Sequence, residues 1–167
     1  MTKKSILILP ILLIVACFTG CNSGGGADKS VKDILERVQS EVETIESIEM
    51  ATEETDNNNL LGKQGQYIEL GWFVDSRVEK EPQFDDEYNE IGSVSQTGNA
   101  GGGAIEKFRS VNDAKKRNEY MASLDSLPKI MSPGFHEQYG VFVIRVSAHL
   151  TASQQNEIAE KIKKAMK

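Results

Sequence analysis

Residues 139–147 read Tyr-Gly-Val-Phe-Val-Ile-Arg-Val-Ser, a segment that is nearly all apolar. A strand with one face in water alternates apolar and polar residues, whereas a strand covered on both faces does not. The missing alternation therefore predicts a central strand, around Val143, that is buried on both sides. Such a strand needs cover on each face, and the flanking sequence supplies candidate helices.

One helix is predicted before this strand in the sequence, and another after it. Thr151–Gln154 has the spacing of a capping box and opens a final helix. That helix carries Ile158, Ile162 and Met166 on one side. Ser110–Asp113 is a variant of the same motif and opens a helix over Val111–Leu124. Residues that cluster at helical spacing there are Ala114, Arg117, Tyr120, Met121 and Leu124. Pro128 and Pro133 mark the loop between this helix and the central strand.

Earlier in the chain, the patterns predict one long helix and two strands. Asp28–Met50 has apolar residues at helical spacing, and Ser30 is its expected N-cap. The apolar positions are Val31, Ile34, Leu35, Val38, Val42 and Ile45. Tyr67–Val78 alternates like a half-buried strand, and Ala104–Arg109 is predicted as a second strand. The alternating residues of the first are Ile68, Leu70, Trp72 and Val74.

Two connections stand out by length and composition. Glu53–Gln66 is a polar loop rich in Asp, Asn, Gly and Gln. Glu79–Gly103 is acidic in its first half and rich in glycine in its second. Connections of this length are usually functional or disordered, so residues 79–103 are predicted to form a mobile loop.

The element order α, β, β, α, β, α predicts an α+β fold. We expect a small three-stranded sheet covered by helices and preceded by an amphipathic N-terminal helix, with the Val143 strand in the middle. The pattern does not determine the strand order. The N-terminal sequence further predicts a signal peptide (1–20), a flexible lipidated tether (21–29) and, after them, a single extracytoplasmic domain (30–167).

Composition excludes several classes of protein. The 167 residues are 39% hydrophobic and 26% charged, which suits one domain with a modest core. The net charge of −6 argues against a nucleic-acid partner. Two cysteines cannot build a disulfide-dense scaffold or, alone, a zinc site. Residues 28–90 hold 18 acidic and 6 basic side chains, a net of −12, while residues 91–167 hold 7 and 11, a net of +4.

The N-terminus has the layout of an export signal. Met1–Lys4 is positively charged, and an apolar run from Ile6 to Phe18 follows, interrupted by Pro10. Thirteen helical residues reach about 20 Å, short of the roughly 30 Å hydrocarbon core of a bilayer. A secretory signal is therefore favoured over an uncleaved transmembrane anchor, which stays the alternative.

Phe18-Thr19-Gly20-Cys21 resembles the bacterial lipobox, in which small residues precede a cysteine that carries diacylglycerol. Ile14-Val15-Ala16-Cys17 has the same form with an aliphatic residue at the third position before the cysteine. Cys21 is favoured as the lipidation site because the polar segment 22–26 after it suits a tether, whereas Phe18 follows Cys17. Two acyl chains give stable anchoring, so the expected partner is the cell membrane and the expected location is its extracytoplasmic face.

A search for catalytic and metal-binding motifs finds none that is specific. His136 and His149 have no third ligand at metal-site spacing, and no Gly-x-Ser-x-Gly motif occurs. Gly101–Gly103 lacks the Lys-Ser/Thr pair of a phosphate-binding loop. No cofactor or metal is therefore expected, and no catalytic residue is assigned.

Three weaker candidates remain. Asp85-Asp86-Glu87 and Asp56–Asn59 could offer oxygen ligands to calcium, but neither has the glycine and distal glutamate of an EF-hand loop. Four aromatic residues could form a stacking platform, although aromatics on strands usually belong to the core. These are Tyr67, Trp72, Phe73 and Tyr139.

Four segments carry a resemblance to a known group: residues 52–67, 102–110, 113–120 and 141–147. The first reads Thr-Glu-Glu-Thr-Asp-Asn-Asn-Asn-Leu-Leu-Gly-Lys-Gln-Gly-Gln-Tyr, and the last Val-Phe-Val-Ile-Arg-Val-Ser. Over residues 50–167 the chain resembles small exported lipoproteins of Gram-positive bacteria. That group has no established activity, so the resemblance implies an exported lipoprotein and transfers no catalytic or binding residue.

The leading hypothesis is a non-enzymatic, lipid-anchored surface protein that binds another protein or a cell-envelope ligand. Asp56–Gly65 and the 79–103 segment are the first candidates for its contact surface, since loops on a rigid scaffold often carry function. One alternative is a cell-wall-active hydrolase or its accessory, which requires Asp85, Asp86 or Glu87 to converge with Glu106. Another is a phage-exclusion or immunity lipoprotein.

Overall fold

The computed structural model describes residues 27–94, 98–127 and 132–167. These ranges contain three α-helices: α1 (Val31–Glu41), α2 (Val111–Ala122) and α3 (Ala152–Ala165). They also contain seven strands: β1 (Ile45–Met50), β2 (Glu69–Asp75), β3 (Glu81–Phe84), β4 (Glu90–Val94), β5 (Gly102–Lys107), β6 (Phe135–Tyr139) and β7 (Phe142–Val146). A short 3₁₀ helix, Gly98–Gly101, precedes β5.

Five strands form one antiparallel sheet in the order β1-β2-β5-β7-β6, while β3 and β4 form a separate two-stranded hairpin. The middle strand is β5, in which Ile105 lies opposite Gly71 of β2 and Ile144 of β7. The α+β class is therefore confirmed. The prediction of a three-stranded sheet centred on the Val143 strand is wrong, because β1 and β6 add two edge strands and β5, not the Val143 strand β7, lies in the middle.

Strand β1 lies within Asp28–Met50, the range that the sequence predicts as one long helix. Helix α1 begins at the N-cap Ser30 as expected, but it ends at Glu41, and Val42 is already extended. A β-bulge interrupts the pairing of β1 with β2 between Ile45 and Ser47. The bulge inserts one residue, so Ile45 and Ile48 both contact the core although they are three positions apart. Residues three positions apart also share one face of a helix, which is why the pattern predicted a helix here.

Strand β6 lies before the apolar segment that was predicted as one strand. Tyr139 belongs to β6, Gly140 turns the chain with a φ of 59°, and β7 begins at Phe142. All five β6 residues are half-buried. The segment Phe135–Tyr139 alternates apolar and polar residues only weakly, which is why its pattern did not stand out.

The segment 79–103, which the sequence predicts as a mobile loop, contains regular secondary structure. It holds β3, β4, the 3₁₀ helix and the first residues of β5. In the turn of the hairpin, the Oδ1 atom of Asp85 accepts hydrogen bonds from the backbone N–H groups of Glu87 (2.9 Å) and Asn89 (2.8 Å). Phe84 and Tyr88 are exposed on this hairpin.

The larger core lies between one face of the sheet and helices α1 and α3. Phe73, Ile105 and Ile144 contribute from the sheet. Helix α1 approaches β2 so closely that a Cβ atom at Gly71 would lie 2.6 Å from Cδ1 of Leu35. Glycine at this position therefore permits the helix to pack directly on the strand.

The smaller core lies on the opposite face, beneath α2 and the segment between β1 and β2. Its buried members are Tyr67, Leu70, Ala104, Phe108, Ala114 and Val143. Because side chains alternate along a strand, Glu106 of β5 and Arg145 of β7 lie on this face with Ala104 and Val143. This second face is where charged groups are buried.

Candidate functional site

A cleft of about 580 Å³ opens on the second face of the sheet, next to α2. Its walls are α2, the loop between β1 and β2, the residues Ser132 and Pro133, and Arg145 of β7. Three of its lining residues are basic: Lys116, Arg117 and Arg145. Its apolar lining residues include Leu60, Tyr120, Met121, Leu124 and Pro133. The volume lies within the range of sites that hold small molecules.

Helix α2 brings Arg117 over the sheet. The helix is capped by Ser110, whose Oγ atom accepts a hydrogen bond from the backbone N–H of Asp113 (3.1 Å) and donates one to Oδ2 of Asp113 (2.7 Å). Asp113 also lines the cleft. The capping residues fix where the helix starts and therefore where Arg117 and Lys116 lie along it.

Glu106 is the buried acid beneath the cleft, with 1% of its side chain exposed. Arg117 donates to it through two nitrogens, from Nε to Oε2 at 2.7 Å and from Nη2 to Oε1 at 2.8 Å. This is the bidentate geometry in which a guanidinium satisfies a carboxylate most fully. Burial acts to lower the pKa of Arg117, but the hydrogen bonds and charge of Glu106 outweigh it, so the pKa is raised.

Arg145 is bound much less completely. It makes one hydrogen bond to Glu106, from Nη1 to Oε1 at 3.3 Å, and its buried Nε has no hydrogen-bond partner among the described residues. Burial lowers the pKa of Arg145; Glu106 opposes that effect, and the Arg117 cation adds to it. An arginine stays charged under these conditions. The cluster therefore holds two guanidinium charges and one carboxylate charge.

Aromatic rings flank the Arg117 guanidinium. Its Cζ atom lies 5.9 Å from the ring centroid of Tyr67 and 5.6 Å from that of Tyr120, which is the range of cation–π contacts. Tyr67 is fully buried, whereas Tyr120 is exposed and lines the cleft. Arg117 is thus held by Glu106 and two rings, which leaves its position well determined.

The loop that forms one wall of the cleft is fixed by Asp56. Its carboxylate accepts hydrogen bonds from four groups within the loop and at its end: the backbone N–H groups of Asn58 (3.1 Å), Leu60 (2.7 Å) and Leu61 (2.8 Å), and the Tyr67 hydroxyl (2.7 Å). Burial acts to raise the pKa of Asp56, but these hydrogen bonds outweigh it and lower the pKa. Asn58 and Leu60 are thereby held at the cleft.

The two acidic segments that were weak candidates for calcium have other roles in this structure. The Asp56 carboxylate accepts hydrogen bonds from backbone N–H groups of its own loop. Asp85 accepts hydrogen bonds from its own turn and from the Asn89 side chain. Across the described parts of the chain, no three His, Cys, Asp or Glu side chains are grouped so as to hold a metal ion. Part of the predicted contact loop, Asp56–Gly65, does line the cleft, through Asn58, Leu60 and Gly65.

The carboxylate pair required for a hydrolase is not assembled. Glu106 lies beneath α2 with Arg117 and Arg145, whereas Asp85 belongs to the turn of a hairpin outside the main sheet. Asp85 accepts hydrogen bonds from its own turn, and Glu106 accepts them from the two arginines. The two groups therefore do not share a site.

The four aromatic residues do not form a stacking platform, in line with the expectation that aromatics on strands belong to the core. Phe73 is buried in the larger core, and Tyr139 packs against it. Tyr67 is buried in the smaller core on the opposite face, with Trp72 against it. Because the sheet separates the two pairs, the four rings cannot offer one stacking surface.

The two histidines lie outside the cleft lining. The ring of His136 on β6 contacts Oδ1 of Asn118 through Nδ1 (2.9 Å) and Oδ1 of Asp125 through Nε2 (3.1 Å). His149 is exposed in the turn after β7, where its backbone N–H donates to Oγ of Ser147 (3.2 Å). His136 therefore ties β6 to α2.

The residues that sequence reasoning did not recognise as a site are Lys116, Arg117 and Arg145. Arg117 was assigned to a helical cluster, and Arg145 was treated as part of an apolar strand. The signal that could have found them is the lone arginine within Val-Phe-Val-Ile-Arg-Val, because a charge in a strand buried on both faces requires a partner.

Comparisons with protein-family models, with curated proteins and with solved structures find no match to this chain. The resemblance to exported lipoproteins therefore stays a prediction. Within residues 27–94, 98–127 and 132–167, no helix has the length and apolarity needed to cross a membrane. The predicted signal peptide, Cys17 and Cys21 lie outside the described residues.

Proposed function

We propose that this chain is an exported, lipid-anchored protein that binds a small ligand in the cleft beside α2 and carries out no chemistry on it. The observation that carries the proposal is the convergence of Lys116, Arg117 and Arg145 on a cleft with an apolar wall. A concave, mostly preformed pocket with a few convergent polar groups is the usual form of a ligand site.

The side chains of the cleft favour binding over catalysis. Guanidinium groups stay protonated at neutral pH, so Arg117 and Arg145 are poor candidates for general acids or bases. Asp113 is engaged by the helix cap, and Glu106 by Arg117. The described lining residues therefore supply charge, hydrogen-bond donors and apolar surface, which are the means of recognition.

Anchoring at Cys21 is supported by the sequence alone. The charged start, the apolar run, the small residues before Cys21 and the polar segment after it together describe a lipoprotein signal. Growth with a tagged fatty acid tests this directly. We expect wild-type protein and Cys17→Ser to take up label and Cys21→Ser to lose it. Label lost in Cys17→Ser alone would move the anchor, and no label in wild type would refute anchoring.

Binding in the cleft is tested by nuclear magnetic resonance on the ¹⁵N-labelled full chain in detergent micelles. Benzoate, phenyl phosphate, benzamide and benzylamine, four compounds of similar size, are titrated separately. We expect at least one of them to shift amide signals that are confined to the cleft, such as those of Gly65, Gln66 and Tyr120. Shifts for none of the four, or shifts spread over α1 and α3, would contradict the proposal.

A matched pair of variants excludes binding elsewhere. Leu124→Trp adds bulk to a residue that lines the cleft, whereas Leu127→Trp adds the same bulk to an exposed residue that does not line it. We expect Leu124→Trp to abolish the shifts and Leu127→Trp to preserve them. Equal effects of the two variants would mean that the fragments bind at another surface.

A further inference from the structure

We infer that the ligand is a small organic anion whose carboxylate or phosphate group binds at Arg145 and Lys116 and whose apolar part packs along Tyr120, Met121 and Leu124. The inference rests on the proposed function, since it names the class of ligand for the same cleft. It follows from three observations on charge, accessibility and shape.

The first observation is an uncompensated charge. Glu106 receives a complete bidentate pair from Arg117, and its 3.3 Å contact with Arg145 is long for a charge-assisted hydrogen bond. The Nε of Arg145 is buried and has no hydrogen-bond partner among the described residues, while the side chain as a whole lines the cleft and is 16% exposed, so an anion can reach its exposed part. Holding a guanidinium in a low-dielectric site without a full counter-charge costs free energy, and an anion that enters the cleft would supply the missing negative charge.

The second observation is a second cation on the same cleft. Lys116 is exposed on α2, and within the described ranges no acidic side chain forms an ion pair with it. Together with Arg117 and Arg145 it gives the site three positive charges against the two negative charges of Glu106 and Asp113. Asp113 is engaged by the helix cap and Arg117 by Glu106, so an anion is favoured at the two remaining cations, Lys116 and Arg145.

The third observation is the shape of the remaining wall. Tyr120 and Met121, in the last turn of α2, and Leu124, in the turn that follows the helix, line the cleft together. Inorganic phosphate would leave this apolar surface uncovered, whereas an anion with an aromatic or aliphatic body would cover it. A cleft of about 580 Å³ has room for both parts.

The test is calorimetric titration of the full chain, in detergent, with benzoate, phenyl phosphate, benzamide and benzylamine. We expect the two anions to bind and the neutral and cationic compounds to bind at least about 10-fold more weakly. Losing one charge-assisted hydrogen bond should weaken anion binding about 10- to 100-fold in Arg145→Met. Arg145→Lys should restore part of the affinity because it restores the charge.

Two neighbours on α2 provide the matched control. Lys116→Met and Lys115→Met remove the same charge from adjacent exposed residues, but Lys115 pairs with Glu119 (3.8 Å) and does not line the cleft. We expect Lys116→Met to weaken anion binding at least about 5-fold and Lys115→Met to change it less than about 2-fold, since a charge outside the cleft is largely screened by salt. Both variants lie on the surface, so a folding defect would not mask the result.

The outcomes separate this inference from the proposed function. If benzamide or benzylamine binds in the cleft as tightly as benzoate, or if Lys115→Met weakens the anions as much as Lys116→Met, the anion inference fails while cleft binding stands. If none of the four compounds shifts the cleft signals, both proposals fail.

Discussion

Removing Arg117 and removing Arg145 should have very different effects on stability, although both side chains contact Glu106. In Arg117→Met, the buried carboxylate loses two short hydrogen bonds and keeps a single contact of 3.3 Å. Breaking a buried ion pair in this way costs about 3–5 kcal/mol, because it leaves a charge without compensation. We therefore expect Arg117→Met to lose about 4 kcal/mol of unfolding free energy.

In Arg145→Met, the bidentate pair between Arg117 and Glu106 is retained, and the positive charge that Glu106 does not fully compensate is removed. Replacing a poorly compensated buried charge by an apolar side chain of similar length is often neutral or stabilising. We expect the unfolding free energy to stay within about 1 kcal/mol of wild type or to rise. A variant that gains stability while losing ligand affinity is the usual sign of a residue retained for binding.

Urea unfolding followed by circular dichroism measures both variants. With a slope of roughly 2 kcal/mol per molar urea, a loss of 4 kcal/mol lowers the midpoint by about 2 M. We expect that shift for Arg117→Met and a shift below about 0.5 M for Arg145→Met, with unchanged slopes. If Arg145→Met lost as much stability as Arg117→Met, the two guanidinium groups would share Glu106 equally, and the reasoning about a surplus charge would be refuted.

Three further predictions concern the scaffold around the cleft. Tyr67→Phe removes the 2.7 Å hydrogen bond to Asp56 and should cost about 1–3 kcal/mol in urea unfolding; no loss would mean that the loop is held without it. Asp56 and Asp75 have lowered pKa values in the folded state, because hydrogen bonds outweigh burial. Their stabilisation is therefore present above the unfolded pKa of about 4 and is lost as the pH falls through the folded pKa values. The melting temperature should therefore drop below about pH 4, and it should depend less strongly on pH in Asp75→Asn. Gly103→Ala would bring a Cβ atom close to the backbone oxygen of Arg145 and should cost about 1–3 kcal/mol; a wild-type melting curve would contradict the strand packing described here.

Helices were the best predicted part of the fold because their ends carry local chemical signals. Ser110 and Thr151 each accept a hydrogen bond from the third residue of the helix that they cap, and α2 and α3 begin where those motifs placed them. The same logic placed the start of α1 at Ser30 but could not place its end. The helix has no glycine or proline signal there, and the bulge in β1 kept the apolar spacing helical in appearance.

The sheet was predicted less well because its edge strands have little pattern of their own. β1 and β6 are only partly buried, so their sequences are mixed rather than alternating or apolar. Strand order depends on contacts between distant parts of the chain, and no local pattern contains that information. The pairing of β5 with both β2 and β7 became evident only in three dimensions.

The cleft could be predicted only in part, because its residues come from distant parts of the chain. The Asp56–Gly65 loop was identified from its polar composition, and part of it does line the cleft. The charged cluster joins Glu106, Arg117 and Arg145, which lie on a strand, a helix and a second strand. Nothing in the local sequence says that these three side chains meet, although the lone arginine in an apolar strand indicates that some partner must exist.

The most direct measurement on the cleft is a crystal structure of the full chain soaked with 4-bromobenzoate, in which the anomalous signal of bromine locates the ligand. We predict the bromine beside Tyr120 and Leu124 and a carboxylate oxygen within about 3 Å of a nitrogen of Arg145 or Lys116. A bromine signal at another surface, or a carboxylate turned away from both cations, would contradict the account.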